Sequence, residues 1–233
     1  MFHRSSVPLL KWYMAIWIFT THSKGISSVQ LSKDIGVTQK TAWNMLHRIR
    51  ECFGGENNSK LEGVVQIDET FVGGKNKNRH WDKKVKNSQG RSFKDKTPVF
   101  GMKQTDGKVV AKVVENTKAK TLSKEIRKTI KVGSTIYSDE WNYGNLSRRY
   151  HHEFVDHSRK QYVVGQVTTN AIESFWALLK RGIIGVYHFV SRKHLQKYVV
   201  FRHNTRNLDR QNIFSLILSN SRYINLKDLS YAD

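Results

Sequence analysis

Apolar residues recur at helical spacing near the start of the chain, where Leu9, Trp12, Tyr13, Ile16 and Trp17 predict a helix with a buried stripe. Leu31 and Ile35 predict a second, short helix, opened by a Ser27/Gln30 capping box and closed by Gly36. A third begins near Thr38 and sets Ala42, Leu46 and Ile49 on one face. Two short helices joined by a tight glycine-containing turn make either a plain helical hairpin or a helix-turn-helix. The later helix is expected to expose Gln39, Lys40, Asn44, His47, Arg48 and Arg50, residue types that reach phosphates and base edges, and this favours DNA binding.

The stretch GGENNSKLEG has linker composition, and from residue 63 short apolar runs replace helical spacing. Residues 63–72 predict a strand, followed by a lysine-rich stretch at 75–97. "VFGMKQ" and "KVVAKVVEN" predict a hairpin about the Asp106-Gly107 turn. Leu122, Ile126 and Ile130 mark a helix with one buried face. "STIYSDE" and "HHEFVDHS" predict strands around a short polar helical piece, and a last helix starts near residue 169. This order gives an antiparallel three-strand meander extended by parallel strands through crossover helices. The expected fold class is therefore α/β, a ribonuclease-H-like mixed sheet with flanking helices, preceded by a small all-α helix-turn-helix domain. The expected boundaries are 1–53, a linker at 54–62, a catalytic domain at 63–207, and a tail at 208–233 whose pattern says little.

Charge changes the picture most. Lysine and arginine number 40 against 19 acids in 233 residues, a formal charge of +21, so a polyanion is the default partner and nucleic acid leads. The early run WYMAIWIFT is far short of the roughly 20 residues of a membrane span, and it reads as a core helix of a cytoplasmic protein. The single cysteine, Cys52, excludes an intramolecular disulfide and a cysteine-only zinc site.

Against that charge, carboxylates inside an apolar strand need a reason. Asp68 lies within the first strand, Asp139 at the end of the fourth, and Glu173 in the first turns of the last helix. In the expected topology the first and fourth strands are neighbours and the helix packs over their ends, so the three acids converge. Carboxylate oxygens suit Mg²⁺, with Mn²⁺ able to substitute. Without a cation, two such charges about 4 Å apart repel by roughly 4 kcal/mol at an effective dielectric of 20. Two ions about 3.5–4 Å apart would relieve this and serve phosphodiester chemistry. Singly, each acid has an ordinary structural reading: an ion pair for Asp68, a helix cap for Asp139, and a capping-box variant with Asn170 for Glu173. Glu69 and Glu140 alternate to the opposite strand face and are weaker candidates.

Lys180 lies seven residues, two turns, after Glu173 on the same helix face, placed to touch a DNA phosphate. Residues 75–96, with nine lysines or arginines that include Lys75, Lys77 and Arg79, read either as a solvated loop or as a track for a DNA backbone. Arg202, Arg206 and Arg210 carry the same expectation. His151, His152 and His157 fit zinc poorly, because strand alternation separates adjacent side chains.

Assembled, these residues resemble the ISXO-type DDE transposases of bacterial insertion sequences. The likeness runs through "GISSVQLSKDIGVTQKTAWNMLHRIR", "IDETFVGGKNKNRH", "KTPVFGM", "YSDEW", "FVDHSRKQYVVG", "TTNAIESFWALLKRGIIGVYH" and "HLQKYVVFRHNTRN". The resemblance implies that Asp68, Asp139 and Glu173 are the catalytic, metal-holding acids, with Asn170 a nearby motif residue and Lys180 and Arg181 basic residues on DNA. It implies cleavage of double-stranded DNA at terminal inverted repeats and attack of the freed 3′-hydroxyl on target DNA. It also implies a homodimer or larger synaptic assembly, and a bacterial, nucleoid-associated cytoplasmic setting. Two departures stand out. Many relatives begin with a four-cysteine zinc ribbon, and "MFHRSSVPLLKWY" resembles the segment that usually comes after such a ribbon. "QKYVVFRHN" is about three residues shorter than the family pattern, a rotation of only about 60° along a helix. The alternatives are a truncated, inactive copy that regulates by binding DNA, and a structure-directed nuclease of the same fold.

Overall fold

In the computed structural model the described residues are 1–53, 60–73, 80–86, 92, 94–105, 107–139, 143, 146–154, 168–205 (backbone only from 202) and 209–221. The chain gathers into two compact units. One comprises Met1–Glu56, Arg181–His188 and His194–Asp233, and the other Asn57–Lys180 and Phe189–Lys193.

The first unit is helical. Helix α1 (Leu9–Thr21) buries Trp12, Ala15, Ile16, Phe19 and Thr20. Leu9, Tyr13 and Trp17, expected in the core stripe, are instead 53%, 41% and 49% exposed. The buried arc is centred on Trp12, Ala15 and Phe19, and at about 100° per residue Tyr13 and Trp17 fall past its edge. Helix α2 (Ser28–Ile35) is capped as expected by the Ser27 hydroxyl, which accepts the Gln30 N–H at 3.1 Å. The Gln30 side chain turns to Asp34 at 2.7 Å instead of back to the cap, so the box is half formed. Gly36 ends the helix at φ 61°, a left-handed conformation that glycine adopts without penalty. Thr38 then caps helix α3 (Gln39–Glu51).

Helix α3 corrects one expectation. Gln39 and Lys40 are exposed and Asn44 and Arg48 half-buried, but His47 and Arg50 are 0% and 2% exposed. They are covered because α3 packs on helix α6 (Leu195–Thr205) along a second face. The Arg50 guanidinium lies 4.1 Å from the Tyr198 ring centroid and 5.1 Å from that of Tyr187, a cation–π setting for a buried charge. Lys197 pairs with Glu51 beside it. The region expected to say little contains helix α7 (Arg210–Asn220), whose Ile213 and Ile217 join the core of α1. The Arg210 guanidinium sits 5.4 Å from the Trp17 ring.

The His47 ring centroid lies 3.9 Å from that of Trp43 and 4.6 Å from that of His194 in tilted contacts, and neither of its nitrogens has a hydrogen-bond partner among the described residues. Burial, then Arg50, His194 and Lys197, press its pKa down to about 2. The unfolded chain therefore binds a proton that the folded one refuses. Stability is full above about pH 6.5 and falls with acid by up to about 1.4 kcal/mol per pH unit. His47→Phe should flatten this slope in denaturant titrations at pH 7 and pH 5. An unchanged slope would count against the burial of a neutral imidazole.

The second unit is built on a five-stranded sheet ordered β3-β2-β1-β4-β5. Strands β1 (Val64–Val72), β2 (Thr97–Gln104) and β3 (Val109–Val113) form the expected antiparallel meander. Strands β4 (Thr135–Ser138) and β5 (His151–Phe154) add to it in parallel. The β2–β3 turn closes through Gln104 and Lys108, with Asp106 outside the described residues. Alternation along β1 assigns its two faces. Val65 and Ile67 point into the core made with Phe100, Met102, Ile136 and, on helix α4 (Ala119–Thr129), Leu122 and Ile126. Gln66 and Asp68 point to helix α5 (Asn170–Gly182), which continues as a π-helical turn, Ile183–Tyr187. Among the described residues no helix is long and apolar enough to cross a membrane.

Candidate functional site

The site forms at the sheet edge where β4 stops pairing with β1. The parallel ladder runs Val64↔Thr135, Val65↔Ile136, Gln66↔Tyr137, and two further steps would set Asp139 beside Asp68. β1 itself continues to Val72, held on its other side by β2. Its edge at Asp68 and Glu69 is thus open toward Asp139, and carboxylates from both faces of the strand reach the same space. One oxygen each of Asp68, Glu69 and Asp139 lie within 4.8 Å of one another.

Such a cluster is electrostatically costly. Burial first, then Asp139 and Glu69, raise the Asp68 pKa to about 8. Two donors work against that rise. The Glu69 backbone N–H donates to Asp68 Oδ1 at 2.7 Å, and the Trp176 indole Nε1–H donates to Oδ2 at 2.9 Å. Glu69 also faces the buried Tyr143, whose phenol is pushed far up by burial and by the neighbouring acids. Three hard oxygen donors at this spacing suit a divalent cation, which would replace the mutual repulsion with attraction.

Helix α5 supplies the rest. The N–H groups of Ala171 and Ile172 in its first turn both donate to Gln66 Oε1 at 3.1 Å, the second shared with the Thr169 carbonyl, so a side chain of β1 caps the helix. Asn170, expected as a cap, is the exposed first residue of the helix. Glu173 is also exposed, and its Oε1 accepts the Thr169 hydroxyl at 3.0 Å. It lies outside the three-acid cluster, but on the helix face shared by Trp176 and Lys180. Lys180 is exposed beside Asp68 and Lys96. Desolvation lowers its pKa, the Asp68 charge raises it, and Lys96 lowers it. Arg192 ties into the same strand end, donating to Thr97 Oγ1 at 3.1 Å and to the Lys96 carbonyl at 3.2 Å.

The structure thus brings Asp68 and Asp139 together and sets Glu173, Asn170, Lys180 and Arg181 on one helix. Lys75, Lys77, Arg79, Arg206, Glu140 and His157, and the Arg202 side chain, lie outside the described residues. His152 Nε2 is 2.9 Å from the Ser138 hydroxyl. Within the first unit, Gln39 donates to Ser28 at 2.7 Å and Arg48 to the carbonyls of Met1 and His3 at 3.0 and 3.2 Å. Sequence reasoning undervalued Glu69: alternation does send its side chain to the opposite strand face, but β4 stops pairing before this level, and both carboxylates reach round the open edge toward Asp139. It passed over Gln66 and Trp176 altogether. The glycine inside the apolar run "VFGMKQ" was the available signal of something approaching the sheet there.

The ISXO2-like transposase domain family matches residues 60–204, a stretch that spans both the acid cluster and α5, and the chain belongs to that family. It is 29% identical over 211 residues to an uncharacterized protein in transposable element ISH50 of Halobacterium salinarum, covering 85% of this chain and 69% of that one. Among solved structures, a pre-cleavage Mos1 transpososome aligns over 95% of this chain and 80% of its own at 11% identity and TM-score 0.35. The Mos1 strand transfer complex aligns over 95% and 79% at 12% identity and the same TM-score.

Proposed function

We propose that the protein is the DNA transposase of an insertion sequence, cutting double-stranded DNA at terminal inverted repeats and joining the 3′-hydroxyl ends to target DNA. The observation that carries this reading is the meeting of Asp68 and Asp139 from neighbouring strands in a chain of the ISXO2-like transposase family. The sheet order, a meander extended in parallel on the side of its first strand, supports a ribonuclease-H-like catalytic domain. Asp68 and Asp139, with Glu69 at hand, are the groups to hold Mg²⁺ or Mn²⁺, two ions in the full site. Bound there, the ions would supply activation of a water or 3′-hydroxyl and stabilisation of the leaving oxygen. Glu173 is the third acid of this reading. It lies on the same helix face as Trp176, which donates to Asp68, and Lys180, which sits beside Asp68, with its own carboxylate accepting the Thr169 hydroxyl.

Lys180 and Arg181 offer cations to the DNA backbone beside the acids. Gln39, Lys40 and Asn44, at the open end of α3, are the base- and phosphate-reaching groups of a helix-turn-helix. Cuts at two element ends call for a dimer or larger assembly on DNA. Lys180→Ala should weaken binding similarly across DNA sequences and lower the salt slope of log K by about 1, measured by fluorescence anisotropy from low to moderate salt.

The test of the whole reading is a supercoiled plasmid carrying the gene's flanking DNA, incubated with protein and Mn²⁺ or Mg²⁺ beside Asp139→Asn. End-specific nicking and joining, lost in the variant and in EDTA, is the expected result. Binding to the flanks with no cleavage by either protein would replace this reading with that of a regulatory, inactive copy. Cutting without preference for the element's ends would replace it with a nuclease.

A further inference from the structure

Trp176 is 4% exposed and could have been any large apolar residue if its task were only to cover the sheet. Its single polar atom, the indole N–H, is instead spent on Asp68 Oδ2 at 2.9 Å. The sheet is shaped to allow this. Gly101 is the cross-strand partner of Asp68, and a Cβ on it would sit 2.4 Å from Cζ2 and 2.6 Å from Cη2 of Trp176, and 3.0 Å from Ile172 Cδ1. Any larger residue at this position would collide with the ring that reaches the acid.

The helix carrying the indole is fixed to the same strand face. Gln66, 6% exposed and two residues before Asp68, takes the N–H groups of Ala171 and Ile172. With Oδ1 accepting the Glu69 N–H at 2.7 Å, the Asp68 carboxylate is held from two directions. A carboxylate has about four lone-pair sites, so about two remain for a cation.

We infer that Trp176 is a positioning residue, seated by Gly101 and by the Gln66 cap, that orients the Asp68 carboxylate for a divalent cation shared with Asp139. The inference rests on the metal-holding role proposed for Asp68. An outer partner of this kind contributes about 10–100-fold in metal affinity.

The test uses the full-length protein without DNA. Mn²⁺ affinity is measured by calorimetry and by the loss of the free-ion electron paramagnetic resonance signal, for wild type, Asp68→Asn, Trp176→Phe and Gly101→Ala. Trp176→Phe keeps an aromatic ring and loses the donor. It should weaken Mn²⁺ about 10–100-fold with a midpoint of ion-free unfolding close to that of wild type, and Gly101→Ala should weaken Mn²⁺ similarly by displacing the ring, with a lowered midpoint from the same overlap. In parallel, ¹⁵N-indole spectra of the six tryptophans follow the bond itself. The Trp176 resonance should move in Asp68→Asn and again on adding Mg²⁺ to wild type. Wild-type Mn²⁺ affinity in Trp176→Phe, with binding lost in Asp68→Asn, would overturn the inference and leave the metal site standing. Mn²⁺ binding in wild type that does not depend on Asp68 would overturn both. Should Trp176→Phe fail to fold, the spectra decide, and a Trp176 resonance indifferent to Asp68→Asn overturns the inference.

Discussion

Asp68→Asn and Asp139→Asn should each lower strand cleavage about a thousandfold or more, since a lost metal ligand costs more than the 10–100-fold of an outer partner. The same substitutions should leave the ion-free protein at least as stable as wild type. Asparagine keeps the shape of aspartate and cannot add a charge to a cluster of three acids whose oxygens lie within 4.8 Å. The pair of outcomes separates a metal site from a structural ion pair. If Asp68 served one of the many basic residues, its neutralisation would strand a buried cation and destabilise the fold. Nicking assays read the first outcome and denaturant titrations in EDTA the second. Activity within tenfold of wild type, or a marked loss of stability, would assign these acids a structural role.

Ion-free protein should lose stability as pH rises from about 4 to about 8, and divalent cations should restore it. The sign comes from Asp68. Its folded pKa of about 8 lies above the ordinary value of 3.8, so between these limits the folded state holds a proton that the unfolded state has released. Stability from this group is full below about pH 4 and declines by up to about 1.4 kcal/mol per pH unit through the window, a total of a few kcal/mol. His47 works in the opposite sense, costing stability toward acid below about pH 6.5, so it is removed by His47→Phe before the Asp68 slope is read. At pH 8, where Asp68 is about half protonated, Mn²⁺ should raise the unfolding midpoint and release about half a proton per site on binding, and Asp68→Asn should abolish both effects. A midpoint insensitive to Mn²⁺ at pH 8 would count against cation binding at this cluster.

The parts of the fold written in local pattern were legible. Alternation and the glycine-bearing turn defined the β1–β2–β3 meander, and Leu122 and Ile126 gave the buried face of α4. Ser27 and Gly36 bounded α2 because caps act within one helical turn. Features that depended on distant partners were not. His47 and Arg50 read as exposed because α6, which covers them, is remote in sequence, and Trp17 read as buried because helical spacing fixes a stripe's period but not its centre. In the site, Asp68 stood out as an acid within an apolar strand and Asp139 as one at the end of another. Glu69 did not, because the point at which β4 leaves the ladder is a tertiary fact. Nor did the bonds of Gln66 and Trp176 to partners more than a hundred positions away.

The most direct test of the central claim is a crystal of the protein soaked with Mn²⁺ and measured at the manganese absorption edge. An anomalous peak about 2.0–2.3 Å from carboxylate oxygens of both Asp68 and Asp139, absent in Asp139→Asn, is the predicted result. Manganese that binds elsewhere, or an ordered site in which either aspartate is turned away or paired with a basic side chain, would contradict it.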